Sequence, residues 1–127
     1  MDVLWWPKVD TTFNKNKFKQ LGSEICDVPD SFAIGKQAAK IFDDRRKMSG
    51  GGLEINWGFA ETMAYATLLS EEYPIRITGQ DVRRGTCSHR HACIVDAEDG
   101  QGVIPLSKIA DKNNTRFDIY DSLLSEE

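Results

Sequence analysis

A chain of 127 residues has the length of one domain, and its 40% apolar content is enough for a buried core, which excludes a disordered polypeptide. Twenty acids against 16 bases leave a formal charge of -4, so charge gives no reason to expect nucleic-acid binding. No apolar run approaches the roughly eighteen residues of a membrane helix. The opening Met1-Asp2-Val3-Leu4-Trp5-Trp6-Pro7-Lys8 has neither a secretion nor a transit pattern, so a cytoplasmic protein is expected, or a mitochondrial-matrix one in a eukaryote. Three cysteines, Cys26, Cys87 and Cys93, cannot close a disulfide set and are expected as free thiols.

Residues 1–33 read as a linker or leader segment, and residues 34–127 as the start of an α/β domain. Adjacent Trp5 and Trp6 beside Pro7 are expected to dock on another surface. The lysine-rich stretch from Asn14 to Phe18 predicts a short surface helix that stops at Leu21-Gly22, and Val28-Pro29-Asp30-Ser31 predicts a turn. Ile34, Ala38, Ile41, Phe42 and Met48 recur at helical spacing, which predicts an amphipathic helix over 34–48. Within it, Asp43-Asp44-Arg45-Arg46-Lys47 reads as a solvated face, and Gly50 to Gly52 as the stop.

Asn56 is a candidate cap for a second helix over about 57–71, with Ala60, Met63, Ala64, Thr67 and Leu68 as its packing face and Glu61 on the flank. Pro74 forces an extended entry into Ile75-Arg76-Ile77-Thr78, whose alternation predicts a half-buried strand. After a polar loop come Ile94-Val95, a turn through Asp99 and Gly102, and the apolar Val103-Ile104-Pro105-Leu106. Phe117 to Tyr120 predicts a second strand, and Asp121 to Glu127 a strand passing into the first turn of a helix. No helix body follows Glu127, so the chain is expected to be a fragment whose parallel sheet has an open edge.

The loop from Gly79 to Cys93 concentrates the chemistry: both histidines, three arginines and two of the cysteines. Polar loops at strand ends are where open α/β sheets place their sites. Cys87, His89, His91 and Cys93 offer four zinc ligands, although every-other-residue spacing on one extended segment closes poorly into a tetrahedron. Arg83, Arg84, Arg90 and the histidines alternatively suit a carboxylate or another anion, unless the arginines pair with acids such as Asp81.

The run Gly79-Gln80-Asp81-Val82-x-Arg84-Gly85-Thr86-x-Ser88-His89-Arg90-His91-Ala92 resembles a segment of the thiamin-diphosphate-dependent first component of bacterial 2-oxoglutarate dehydrogenase complexes. The resemblance extends to Asp43-x-Arg45-Arg46-Lys47-Met48 and to the stretch from Trp57 to Leu69. It continues through Ile104-Pro105-Leu106 and Ile119-Tyr120-Asp121-Ser122-x-Leu124-Ser125-Glu126-Glu127. It covers residues 24–127 well and 1–23 loosely. Position 87, phenylalanine in that family, is Cys87 here, and Cys93 falls where an aliphatic residue is usual, so both read as small buried hydrophobes. Asn56 stands where the family often has aspartate.

The resemblance implies the front part of a pyrimidine-type thiamin-binding α/β domain with a parallel sheet. It further implies a homodimeric oxidoreductase of the tricarboxylic acid cycle that decarboxylates 2-oxoglutarate and succinylates the lipoyl group of a succinyltransferase component. Thiamin diphosphate and Mg2+ would serve the full enzyme, but the glycine-aspartate motif for the metal and diphosphate has no match here, so no metal ligand is assigned and the fragment alone is expected to be inactive. Glu126 is the expected catalytic and cofactor-binding residue, hydrogen-bonding the pyrimidine ring nitrogen so that the cofactor's own imine can deprotonate its thiazolium carbon. Glu127 is the alternative by one residue. Gln80 and Asp81 are expected to approach the cofactor across the subunit interface, with His89, Arg90 and His91 lining the approach to the active centre or steadying the loop that does. A 2-oxoadipate-preferring relative and a non-catalytic remnant or interaction module are the alternative readings.

Overall fold

The computed structural model describes residues 7–123. Four helices, α1 (Lys15–Ile25), α2 (Lys36–Gly50), α3 (Trp57–Ser70) and α4 (Pro105–Lys112), surround a parallel pair of strands, β1 (Ile75–Gly79) and β4 (Phe117–Asp121). A two-residue antiparallel ladder, β2 (Ile94–Val95) with β3 (Gly102–Val103), lies between them in sequence. The β1–β4 register runs from Ile75 opposite Phe117 to Gly79 opposite Asp121. This is the α/β arrangement with a parallel sheet that the sequence predicts.

Alternation decides which face of that pair turns inward. Ile75 and Ile77 join the core side together with buried Phe117 and Ile119, while Arg76, Thr78 and Tyr120 stay exposed. Leu21 and Ile25 of α1, Met48 of α2, Phe59, Met63, Ala66 and Leu69 of α3, Leu106, Ile109 and Ala110 of α4, with Cys26 and Ala92, make up the rest of the core. Each large aliphatic or aromatic side chain removed from water here contributes about 1.5–3 kcal/mol before entropy is counted. No helix among the described residues is long and apolar enough to cross a membrane.

The local signals explain the helix ends. Asn14 caps α1 by accepting from the N–H groups of Asn16 and Lys17, and Asn56 caps α3 by accepting from that of Phe59, as its position predicts. Gly51, at φ 84°, closes α2 in the left-handed conformation that glycine adopts without strain.

Three readings of the sequence need correction, and one element had none. Gly22 does not stop α1; the helix passes through it to Ile25, and a side chain there would run into Ser49 of α2, so the glycine permits close helix contact. The charged run of α2 is not wholly solvated, because Arg45 is 3% exposed. The buried face of α3 is Phe59, Thr62, Met63, Ala66 and Leu69, leaving Ala64 and Leu68 exposed. That helix is apolar nearly all round, so periodicity could not choose its inner face; packing against α1 and α4 does. Finally, Pro105 and Leu106 open α4, a two-turn helix for which residues 105–112 gave no reading. Proline fits its first turn, where no N–H is needed.

Trp5, Trp6, Glu126 and Glu127 lie outside the described residues.

Candidate functional site

β1 and β4 end side by side, and the loop from Gln80 to Cys93 rises from that end. The Ser122 N–H donates to Gly79 O at 2.8 Å, and the Arg83 N–H donates to Asp121 Oδ1 at 3.2 Å. The site therefore sits at the carboxyl ends of two parallel strands, where open α/β sheets place their ligands.

The first leg of the loop is a turn with Asp81 in the left-handed region at φ 51°. Asp81 Oδ2 accepts from Arg84 at 2.5 Å, and Arg83 Nε lies 3.8 Å from Asp121 Oδ2. Both arginines thus face acids of this chain, the alternative to an anion site raised from the sequence. The return leg folds back on the first: the Arg90 and His91 N–H groups both donate to Arg84 O, and that of Ala92 donates to Arg83 O. A single 3-10 turn, Thr86–Ser88, makes the apex. Gly85 before it, at φ 76°, lies so close beneath the His89 ring that a side chain would collide with it.

Glu61 of α3 gathers two of the loop's side chains, Arg90 and His89. Arg90 Nε donates to Glu61 Oε1 at 2.5 Å, and its Nη1 donates to Val82 O at 2.7 Å. His89 Nε2 lies 3.4 Å from Glu61 Oε2, and its Nδ1 lies 3.0 Å from Thr86 O. Both ring nitrogens face acceptors. The Arg90 hydrogen bond holds the Glu61 carboxyl below the usual carboxylate range, against the opposing effect of burial, and His89 adds to the lowering.

Below the loop, α2 supplies two supports. Arg45 Nη2 donates to both His89 O and Arg90 O, each at 2.9 Å. The Arg45 guanidinium also lies over Phe42, 5.6 Å from the ring centroid. The Phe42 ring meets the His91 ring edge-on at 6.3 Å and 72°. Burial, then the charges of Arg45 and Arg84, push the His91 imidazole below its ordinary value, so the neutral ring is favoured.

An open cleft of about 350 Å³ runs between these elements, lined by Ile41, Asp44, Arg45, Asn56, Gly58, Ser88 and His89. Its wall depends on Gly58, whose added side chain would strike His89 O.

The structure thus brings His89 and Arg90 together on Glu61 and turns His91 the other way, onto Phe42. Gln80 and Asp81 stay at the strand-end turn. No three His, Cys, Asp or Glu side chains among the described residues gather where they could hold a metal ion. The Cys93 thiol is pushed up by burial, which favours the neutral form of a small hydrophobe.

Arg45, Gly58 and the interior role of Glu61 escape a reading of the loop alone. One signal was available: Arg45 lies three residues after Phe42 and three before Met48, on the buried stripe of α2.

No family model matches the chain. It is 46% identical over 123 residues to the 2-oxoglutarate dehydrogenase E1 component of Azotobacter vinelandii, an alignment covering 97% of the chain and 13% of that protein. The corresponding protein of Haemophilus influenzae is 41% identical over 123 residues, with the same coverage. That of Coxiella burnetii is 42% identical over 122 residues, covering 96% of the chain and again 13% of the relative. The chain therefore spans only a small part of the length of the curated relatives it matches.

Proposed function

The chain is homologous to a segment of bacterial 2-oxoglutarate dehydrogenase E1 components, and from that premise we propose that it forms the pyrimidine-side half of a thiamin-dependent active site. The reaction of the whole enzyme would be decarboxylation of 2-oxoglutarate with transfer of the succinyl unit to a lipoyl group. The lipoyl group would belong to a succinyltransferase partner, and the whole enzyme would be a homodimer. The observation that carries this reading is the loop Gly79–Cys93 standing at the shared carboxyl end of β1 and β4.

The organic half of the cofactor would meet the polar groups that this chain gathers at the strand ends, Gln80 and Asp81 beside the arginine- and histidine-bearing loop. When bound, thiamin diphosphate with Mg2+ supplies the electron sink for loss of carbon dioxide. Glu126 would hold a proton at the pyrimidine ring nitrogen. In sequence it follows β4 by five residues. Gln80 and Asp81 would approach the cofactor from the end of β1. His89 would present its ring at the rim of the cleft, with Arg90 braced against Glu61 and Val82 and His91 steadying the loop from below. These cations and imidazoles suit a substrate with two carboxylates.

Glu126→Gln in the full-length enzyme is the decisive test. Loss of a proton-holding carboxylate is expected to lower turnover of 2-oxoglutarate by about 10²–10⁴-fold. Parental turnover in that variant, with Glu127→Gln also active, would remove Glu126 and its neighbour from the chemistry. The isolated 127-residue chain is expected to show no turnover, since the reading gives it half a site.

A further inference from the structure

Arg45 is a buried cation that forms no ion pair among the described residues; its guanidinium donates to two consecutive backbone carbonyls 44 and 45 residues away. Taking a guanidinium out of water costs several kcal/mol. Leucine or methionine would fill the same space at no such cost, so the charge and the planar donor edge are the features that need a reason. The local backbone supplies one. His89 is in the right-handed helical region at φ -70°, ψ -29°, and His91 is left-handed at φ 43°, so the chain reverses sharply between the two histidines. That bend turns the carbonyls of His89 and Arg90 toward one point, and Arg45 Nη2 occupies it.

We propose that Arg45 is a positioning residue: its guanidinium holds the kink at His89–Arg90, which aims the His89 ring at Glu61 and seats the His91 ring on Phe42. A functional consequence of this geometry rests on the reading that the loop serves the active centre. The bond pattern also divides the labour on α2, with Arg45 fixing backbone and Phe42, one turn earlier, contacting a ring. Charge follows from the same placement. His91 borders a small cavity to which α1, α3 and α4 contribute Ile25, Thr62, Pro105 and Leu106, none of which titrates. The charged groups acting on it are Arg45 from α2 and Arg84 from its own loop, both cationic.

The test uses Arg45→Met and Arg45→Lys in the full-length enzyme. It reads hydrogen exchange of residues 86–92, kcat/KM against pH, and global melting. Arg45→Met should speed exchange in residues 86–92 by about tenfold or more relative to the rest of the chain. It should also lower kcat/KM by up to about a hundredfold, as misplaced catalytic groups do. With a positive charge gone, any His91-dependent acid limb of the profile should move to higher pH. Arg45→Lys keeps the charge, so that limb should stay in place while exchange still rises. Parental exchange in residues 86–92 of Arg45→Met would overturn the proposal. If that variant does not fold, parental exchange in Arg45→Lys would overturn it equally. Faster exchange with unchanged kcat/KM would leave Arg45 as the loop's positioner and instead sink the assignment of the loop to the active centre, a result that His89→Ala and His91→Ala with parental activity would corroborate.

Discussion

Glu61 Oε1 and Arg90 Nε meet at 2.5 Å across 29 residues of sequence, joining the flank of α3 to the far leg of the loop. Both side chains are largely sheltered, at 29% and 15% exposed, so water screens the pair less than it would a surface bridge. The contact makes α3 part of the site's frame.

Replacing that carboxylate tests the frame. Glu61→Gln is expected to lower stability by about 1–3 kcal/mol at neutral pH, the range for a charge-assisted hydrogen bond whose partner is left behind. The Glu61 carboxyl is held down in the folded state. Its contribution is therefore complete above the unfolded value of about 4.3 and is lost as pH falls through the lower folded value. Denaturant unfolding at pH 7 and at several acid pH values should show the parent losing this increment on acidification and Glu61→Gln lacking it throughout. Equal stability of the two proteins at pH 7 would remove the pair from the energetics.

Gly58→Ala should destabilise the protein even though alanine is the better helix former by about 1 kcal/mol. The added carbon would strike His89 O, a backbone atom that cannot rotate away. A net loss of about 1–3 kcal/mol is expected, as for other overpacked sites. Gly50→Ala is the matched control, since nothing lies within 4 Å of its added carbon. A Gly58→Ala protein as stable as Gly50→Ala would mean that the cleft wall yields.

His91 makes a distinct acid-linked contribution. Its folded-state value is depressed by burial and by Arg45 and Arg84, so stability is complete above the unfolded value of about 6.5 and declines as pH falls through the folded one. His91→Asn tolerates the left-handed backbone at φ 43° and does not titrate. Melting temperature against pH between about 7 and 5 should fall less steeply in the variant than in the parent. Parallel curves would assign the slope to other groups.

Asn56→Ala should cost about 1 kcal/mol by freeing the Phe59 N–H that its side chain caps at 2.9 Å. Asn56→Asp should restore it, because a carboxylate caps the same N–H and favours the positive end of the helix. Circular dichroism melts of the two variants give the comparison. A destabilised aspartate variant would show that the cleft disfavours negative charge at this position.

Much of the architecture was legible in the residues because the cues were local. The stripe Ile41, Phe42, Met48 gave α2, the alternation of Ile75 and Ile77 with polar neighbours gave β1, and Phe117 with Ile119 gave β4. Asn56 announced the start of α3. The loop was legible as a site because glycines bound it and both histidines fall inside it. The inner face of α3 was legible only at Met63, since Ala64 and Leu68 are as apolar as the Phe59, Ala66 and Leu69 that are buried in their place.

The sequence by itself determined the types of the longer elements α2, α3, β1 and β4, the strand pair's apolar face and the residues that can carry chemistry. Each of these depends on neighbours within a turn or two. Only the tertiary structure decided that Arg45 leaves a charged run to hold the His89 and Arg90 carbonyls, that Glu61 collects Arg90 and His89, and that His91 turns to Phe42. Those choices join residues about 30 to 50 positions apart, and they follow from helix packing and the bent loop backbone, which periodicity cannot encode.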